Sequence, residues 1–440
     1  MKLQKSAIIA LKITSFSLAV SLAHANDPGL LGTTLTPIGA EKSGNAEGTI
    51  PEWSGGLPQK DRVNGKYPNP FKDDNILFAI DAKNLDQHAS QLSEGMAAML
   101  KRYPTLKLNV YPTNRSASYS QLVYERAKAN ATTTKLVDEG NGIEDYQTTV
   151  PFPFPKSGVE LVWNHVTRYR GQSMKREVAQ FSPLSNGTYN PIIMEDDMMF
   201  VDDPSTNSLF FYKQTILSPA RLAGNVLLIQ ETINQVLEPR RAWLYNAGQR
   251  RVRRAPQVVY DSPGNGSDGQ RTTDNYDMFN GSPDQYEWTL KGKKEMYIPY
   301  NAYKLNEDGA KYAQLIQAGH LNPDYLRYEL HRVYEVEATL KSGKRNIYSK
   351  RTLYFDEDTY QIAYADMYDS QGNLWRVGEG HTMNFYDHQI NWYAVEAIYD
   401  LSNGRYYAFG LFSENEGYEF NIKTSEKEYT PNAIRRSGVR

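Results

Sequence analysis

The sequence predicts a mainly β chain with several helices (α+β), built on one large antiparallel sheet. Three observations carry this. Tyrosine occurs 32 times against 15 Phe and 6 Trp, and Tyr suits half-buried pleated surfaces where the ring packs and the hydroxyl reaches a polar partner. From about Val159 to Phe420 short alternating runs are separated by turn signals such as Ser185-Asn186-Gly187, Asp202-Asp203-Pro204, Ser342-Gly343, Gln371-Gly372-Asn373 and Ser402-Asn403-Gly404. The clearest run, Tyr328–Leu340, puts Tyr328, Leu330, Tyr334, Val336, Ala338 and Leu340 on one face and Glu329, His331, Glu335, Glu337 and Thr339 on the other. That is the pattern of a strand with one dry and one wet face.

Taken in order, residues 1–25 read as a secretory leader. Lys2, Lys5 and Lys12 precede or interrupt an apolar stretch that ends in Ala23-His24-Ala25, a small-x-small cleavage site. The apolar run is too short for a membrane span, so the expectation is a soluble exported protein in the bacterial periplasm. With Cys absent, there is no disulfide, thiolate ligand or acylated cysteine, and the fold rests on its core alone. Residues 26–155 read as an arm and helices. The arm, rich in Gly, Pro and Thr, is pinned by Ile38, Ile50 and Trp53. One helix is expected over Leu85–Tyr103 from Leu92, Met96, Met99 and Leu100, and another over Ser118–Lys128 from Leu122, Tyr124 and Ala127. Val150–Pro155, VPFPFP, cannot be a central strand and leads into the sheet region, residues 156–424. An inserted helix over Glu307–Gln317, closed by Gly319, would act as a lid. A basic tail, residues 425–440, ends in Arg435, Arg436 and Arg440.

The sheet region is organised around Arg221–Tyr260, with strands expected at Val226–Ile233, Arg241–Tyr245 and Arg250–Val259. Trp243 and Tyr245 share a face. After Asn246-Ala247-Gly248 come Arg250, Arg251, Arg253 and Arg254 around Val252. Such crowded cations repel unless water or anions compensate. They form either a solvated edge strand that discourages aggregation or a rim for an anionic head group or an acidic partner. Arg332 falls on the apolar face of its strand, as a paired structural arginine or an internal anchor for a ligand acid.

No catalytic set emerges. Gly264-Asn265-Gly266-Ser267-Asp268-Gly269 is followed by no helical period, so it reads as a surface loop and not a dinucleotide cradle. His381 and His388 with Asp387 give a weak metal or acid–base pattern. Glu195-Asp196-Asp197 and Asp202-Asp203 could hold calcium, but acids at turns are more often solvated. The expectation is no enzyme, no cofactor and no metal. A net charge of −2 gives no footprint for nucleic acid.

The phrases LTPIGAEKSGNAEGTIPEWSGG, WLYNAGQRRVRRAP, TTDNYDMFNGSPDQYEW, IPYNAY, ELHRVYEVEATLKSGKRNIYSKR and YTPNAIRR together resemble a family of Gram-negative periplasmic proteins labelled outer-membrane lipoprotein-sorting-like. The resemblance spans the mature chain. It implies a curved, incompletely closed antiparallel half-barrel with an apolar concave side and covering helices, similar to periplasmic lipoprotein carriers. It also implies a carrier or accessory role in envelope transport. The partner would be a hydrophobic small molecule or lipid, with an envelope transporter or outer-membrane protein as a further one. The rival is an adaptor that docks on such a partner and binds no ligand. The chain is about twice the length of a typical carrier and lacks an acylated cysteine, so no family site transfers. The candidate ligand residues are therefore those read directly: Trp243, Tyr245, Arg250, Arg251, Arg253, Arg254 and Arg332.

Overall fold

The structure, a computed structural model, describes residues 27–203, 205–256, 258 and 260–437. The leader, Pro204 of one predicted turn, Gln257 and Val259 of the predicted 250–259 strand, and Arg440 lie outside the described residues.

The arm lies against the body as expected. Ile38 and Ile50 are buried, and the indole N–H of Trp53 donates to Ala117 O at 2.9 Å. The segment predicted as one helix over 85–103 is two pieces, a 3-10 stretch Leu85–Gln91 and α1, Glu94–Arg102. Ser93 separates them because it is the N-cap of α1: its backbone is extended and its hydroxyl accepts the Met96 N–H at 3.0 Å. Helix α2, Gln121–Thr133, starts later than expected and buries Val123, Ala127 and Asn130, while Leu122 is exposed. Strands β1 (Phe78–Ile80) and β2 (Leu108–Val110) pair with each other, and β3 (Lys135–Val137) with β4 (Gly142–Glu144). Helix α3, Gly158–Thr167, was not foreseen. It is buried almost throughout and carries Val159, Leu161, Val162, Trp163 and Val166, so no polar face betrays its period.

Two meanders make the main sheet. The first is β5 (Ser173–Phe181), β6 (Ile192–Phe200), β7 (Ser208–Ser218), β8 (Val226–Thr232), β9 (Arg241–Asn246) and β10 (Arg251–Arg254). After β11 (Tyr286–Pro299) the second runs through β12 (Tyr328–Leu340), β13 (Lys350–Asp356), β14 (Ile362–Tyr368), β15 (Leu374–Phe385), β16 (Ile390–Asp400) and β17 (Tyr406–Leu411). They join along β5, which pairs with β17 through Ala179–Phe181 and with β18 (Gly417–Phe420) through Met174–Glu177. Strand β11 flanks β12, and every pairing is antiparallel except the short contact of β2 with β12. The sheet curls: Tyr364 on β14 donates to Tyr297 O on β11 at 2.9 Å, although β12 and β13 lie between them in the ladder.

The one-wet-face expectation for β12 holds for only part of its length. Glu335, Glu337 and Thr339 reach solvent, whereas Glu329 and His331 are buried beneath residues 112–116, where Glu329 accepts the Asn114 N–H at 2.7 Å. The predicted 307–317 helix is reduced to the single turn α4, Tyr312–Leu315, because Gly309 turns the chain at φ +90. Leu305 and Leu315 are fully buried there, so the segment packs as core and not as a loose lid. Helix α5, Pro431–Ser437, closes the described chain.

Asp366 on β14 ties α1 to the sheet, accepting the Gly95 N–H and the Ser93 hydroxyl, each at 3.0 Å. Burial pushes this carboxyl up to about 7 despite those bonds. Above that pH the folded protein holds a buried carboxylate. Below it the folded form takes a proton that the unfolded chain binds only near its ordinary value, so this group's contribution to stability grows as pH falls from about 8 to about 5. Urea unfolding across that range should show the gain in the native protein and its loss in Asp366→Asn.

Candidate ligand cavity and its charged surround

The concave side of the sheet is occupied by residues 260–285, which cross it between β10 and β11. They are held there by charge. Asp277 is buried, and its carboxylate meets Arg168 Nη2 at 2.6 Å, Arg170 Nη1 at 2.7 Å and the Trp392 indole N–H at 2.9 Å. Burial alone raises this carboxyl, but the two guanidinium groups outweigh it and hold it well below the usual carboxylate range. Asp274 pairs with Arg351, and the side-chain amide of Asn280 donates to Glu231, itself paired with Arg240. Arg176 pairs with Asp196 at 2.9 Å, and Arg376 with Asp400 at 3.1 Å. Glu396 on β16 accepts the Met278 N–H at 2.9 Å, and burial followed by the Asp277 charge pushes its carboxyl upward. The expected apolar concave side with covering helices is thus corrected: residues 260–285 cross it and bring buried ion pairs into it.

Beside this network lies an apolar space. A cavity of about 160 Å³ lies between the inner faces of β7–β9 and the crossing segment. Phe210, Leu227, Ile229, Leu244 and Val258 supply its apolar wall. The polar rim includes Gln214, Glu231, Arg240, Arg271 and Tyr276. Strand period explains the wall, since Phe210 and Tyr212 alternate with Phe211, and Leu227 and Ile229 with Leu228. The glycine-containing stretch 264–269 is not a plain surface loop: Gly264 lines the cavity and Ser267 is fully buried.

The seven residues read from the sequence do not come together here. Trp243 and Tyr245 face the other way, into a second core with Phe211, Val226 and Leu228 that Tyr429 and Ile434 cover. Arg250 sits in the turn at φ +51, outside β10. Arg251, Arg253 and Arg254 are exposed on β10; Arg253 is opposite Leu244, on the cavity side, and Arg254 is opposite Trp243, on the far side. Arg332 is the paired structural arginine: it donates to Ser43 O at 3.0 Å, beside Glu41 at 3.6 Å. Of the residues that line the cavity, Leu227, Ile229 and Leu244 were legible as positions on strands already recognised, whereas Phe210 and the crossing segment were not. Arg271 lay in a stretch read only as lacking a helical period.

The turn acids do not gather for calcium. Glu195 pairs with Lys175, Asp197 with Lys213, and Asp202 with Arg126. Asp387 binds Arg62 at 2.8 Å and stands 3.7 Å from His388, while His381 is buried elsewhere. Among the described residues, His331, Asp356 and Asp358 place donor atoms within 4.8 Å of one another. Both Asp358 oxygens already meet the Arg115 guanidinium, at 2.6 and 2.8 Å, so a cation there would have to displace another cation.

The architecture is a curved antiparallel half-barrel with its own segment threaded through the concavity. The chain belongs to the family described as protein of unknown function (DUF1329), whose model matches residues 79–435. A Pseudomonas aeruginosa relative, "Uncharacterized protein PA3922", is 52% identical over 446 residues, covering 98% of each chain. Among solved structures, a DUF1329 family protein from Desulfovibrio piger aligns at TM-score 0.46 and 14% identity over 63% of this chain and 97% of its own. A "putative outer membrane lipoprotein-sorting protein domain" from Vibrio parahaemolyticus aligns at TM-score 0.46 and 14% identity over 63% and 98%. LolA superfamily protein NE2245 from Nitrosomonas europaea aligns at TM-score 0.38 and 13% identity over 63% and 98%. Among the described residues no helix is long and apolar enough to cross a membrane.

Asp277 neutralises two buried arginines at once, so its loss strands both. Asp277→Asn should lower the free energy of unfolding by about 3–5 kcal/mol, measured by urea denaturation at neutral pH, with the far-UV spectrum of the native state retained.

Proposed function

We propose that this protein is a periplasmic carrier or accessory protein of the cell envelope that binds a hydrophobic ligand in the cavity under β7–β9. The observation that carries the reading is the cavity itself. Beside the buried ion pairs, a space is walled by Phe210, Leu227, Ile229, Leu244 and Val258. Each methylene moved from water into such a wall gains ~0.8 kcal/mol. At about 160 Å³ the space is smaller than the roughly 300–1,000 Å³ of sites that enclose a drug-sized molecule, so it suits a short acyl chain or one end of a longer one. The leader read over residues 1–25 supports export. The titratable pair at the cavity, Glu231 and Arg240, is engaged with itself, which supports binding over catalysis.

The adaptor reading draws on one observation of its own. Arg251, Arg253 and Arg254 stand exposed on the terminal strand β10, and α5, with exposed Arg435 and Arg436, packs nearby. An acidic face of an envelope transporter or outer-membrane channel complements that edge.

Organic extracts of the protein purified from the periplasm should contain a stoichiometric hydrophobic compound by mass spectrometry. Ile229→Trp, which fills the cavity, should cut uptake of a fluorescent fatty-acyl probe by about tenfold or more with the melting temperature held or raised. Lipid-free protein that takes up no probe, yet co-purifies with an envelope protein through the β10 arginines, would favour the adaptor instead.

A further inference from the structure

The geometry points to the chemical class of that ligand: we infer an amphiphile with an oxyanion head group, carboxylate or phosphate, whose head is held by Arg271. This rests on the cavity being the ligand site and adds the chemistry at its polar end.

Arg271 is 6% exposed and lines the cavity. Its Nε and Nη1 are buried without a hydrogen-bond partner. Six other arginines on the concave side, Arg168, Arg170, Arg176, Arg240, Arg351 and Arg376, each meet a carboxylate. Among the described residues Arg271 forms no such pair. What surrounds it is aromatic: the guanidinium carbon lies 5.2 Å from the Tyr407 ring centre, 5.7 Å from Tyr276 and 5.8 Å from Phe409. Rings satisfy the faces of the cation and leave its N–H edges unmet. The hydroxyls do not turn back to help, since Tyr407 donates to Gln180 at 2.8 Å and Tyr276 accepts from Arg176 at 3.3 Å.

The backbone is shaped around this group. A Cβ on Gly264 would stand 2.9 Å from Nε and 3.1 Å from Nη2 of Arg271, so a side chain there would press on the guanidinium and shift it. Glu396 acts on this cation through its charge without meeting it in a hydrogen bond, so an oxyanion entering from the cavity would supply the charge-assisted partner that the buried N–H groups lack. The apolar wall then takes the chain of the same molecule. Guanidinium binds carboxylate and phosphate with comparable charge-assisted geometry, so the shared feature is the oxyanion.

Isothermal titration calorimetry on the full mature chain with octanoate, octyl phosphate and 1-octanol tests this. One or both anions should bind about tenfold or more tightly than the alcohol, and the preferred anion identifies the head group. Arg271→Met should abolish that preference and leave octanol affinity within about twofold, with the melting temperature unchanged or higher because no ion pair is broken. Gly264→Ala, which keeps the charge but displaces it, should weaken the anion selectively. If the native protein binds octanol as tightly as both anions, the oxyanion assignment fails while hydrophobic binding stands. If none of the three binds, the cavity reading fails with it. Should Arg271→Met not fold, the anion-to-alcohol ratio of the native protein decides alone.

Discussion

The paired hold of Arg168 and Arg170 on Asp277 is the constraint around which the interior is arranged. Two guanidinium groups and the Trp392 indole converge on one buried carboxylate. A charge removed from water is tolerable only when such partners are fixed in place. Their geometry therefore fixes the path of the crossing segment, and with it Asp274 against Arg351 and Met278 against Glu396. Apolar packing alone would tolerate a range of paths for residues 260–285. A matched polar network tolerates far fewer, because each misplacement leaves a charge unpaired.

That same network explains the abundance of tyrosine. A ring can pack against the curved sheet while its hydroxyl stitches one strand to another across the concavity. Tyr328 on β12 reaches Glu379 on β15 at 2.9 Å, Tyr393 on β16 reaches Ile362 O at 2.9 Å, and Tyr303 reaches Asn384 O at 2.7 Å. Phenylalanine would supply the area without the tie. The curl of the second meander and the composition of the chain are one phenomenon.

Three strands were read close to their observed limits. β12 was read at its observed limits, Tyr328–Leu340, and β8 and β9 to within a residue of theirs. The sequence concealed α3, whose faces are both buried, and it overextended β10 past Arg254, where Ala255 and Pro256 leave the strand. The candidates it offered on β9 lie on the face turned away from the cavity. Trp243 and Tyr245 are the large side chains, but they serve the core under α5, while the smaller Ala242 and Leu244 look inward. Period 2 separates two faces without saying which is concave. That choice is made by α5 and by the crossing segment, partners distant in sequence. Arg271 was hidden for a related reason: an arginine whose buried N–H groups meet no partner looks, in one dimension, like any other arginine.

A carrier with an open oily trough would discriminate ligands by little more than chain length, since each methylene adds a similar increment whatever lies at its end. The filled concavity alters what can be distinguished. In a cavity bounded by β7–β9 and the crossing segment, an overlong or branched chain would meet side chains held by ion pairs such as Glu231 with Arg240 and could not be accommodated by small shifts. Polar groups at the mouth of such a space reject a ligand that leaves them unpaired far more strongly than an apolar wall rejects an extra carbon. Under the proposed function, selectivity therefore grows as the cavity shrinks, and paired charges beside it such as Glu231 with Arg240 help make that space specific.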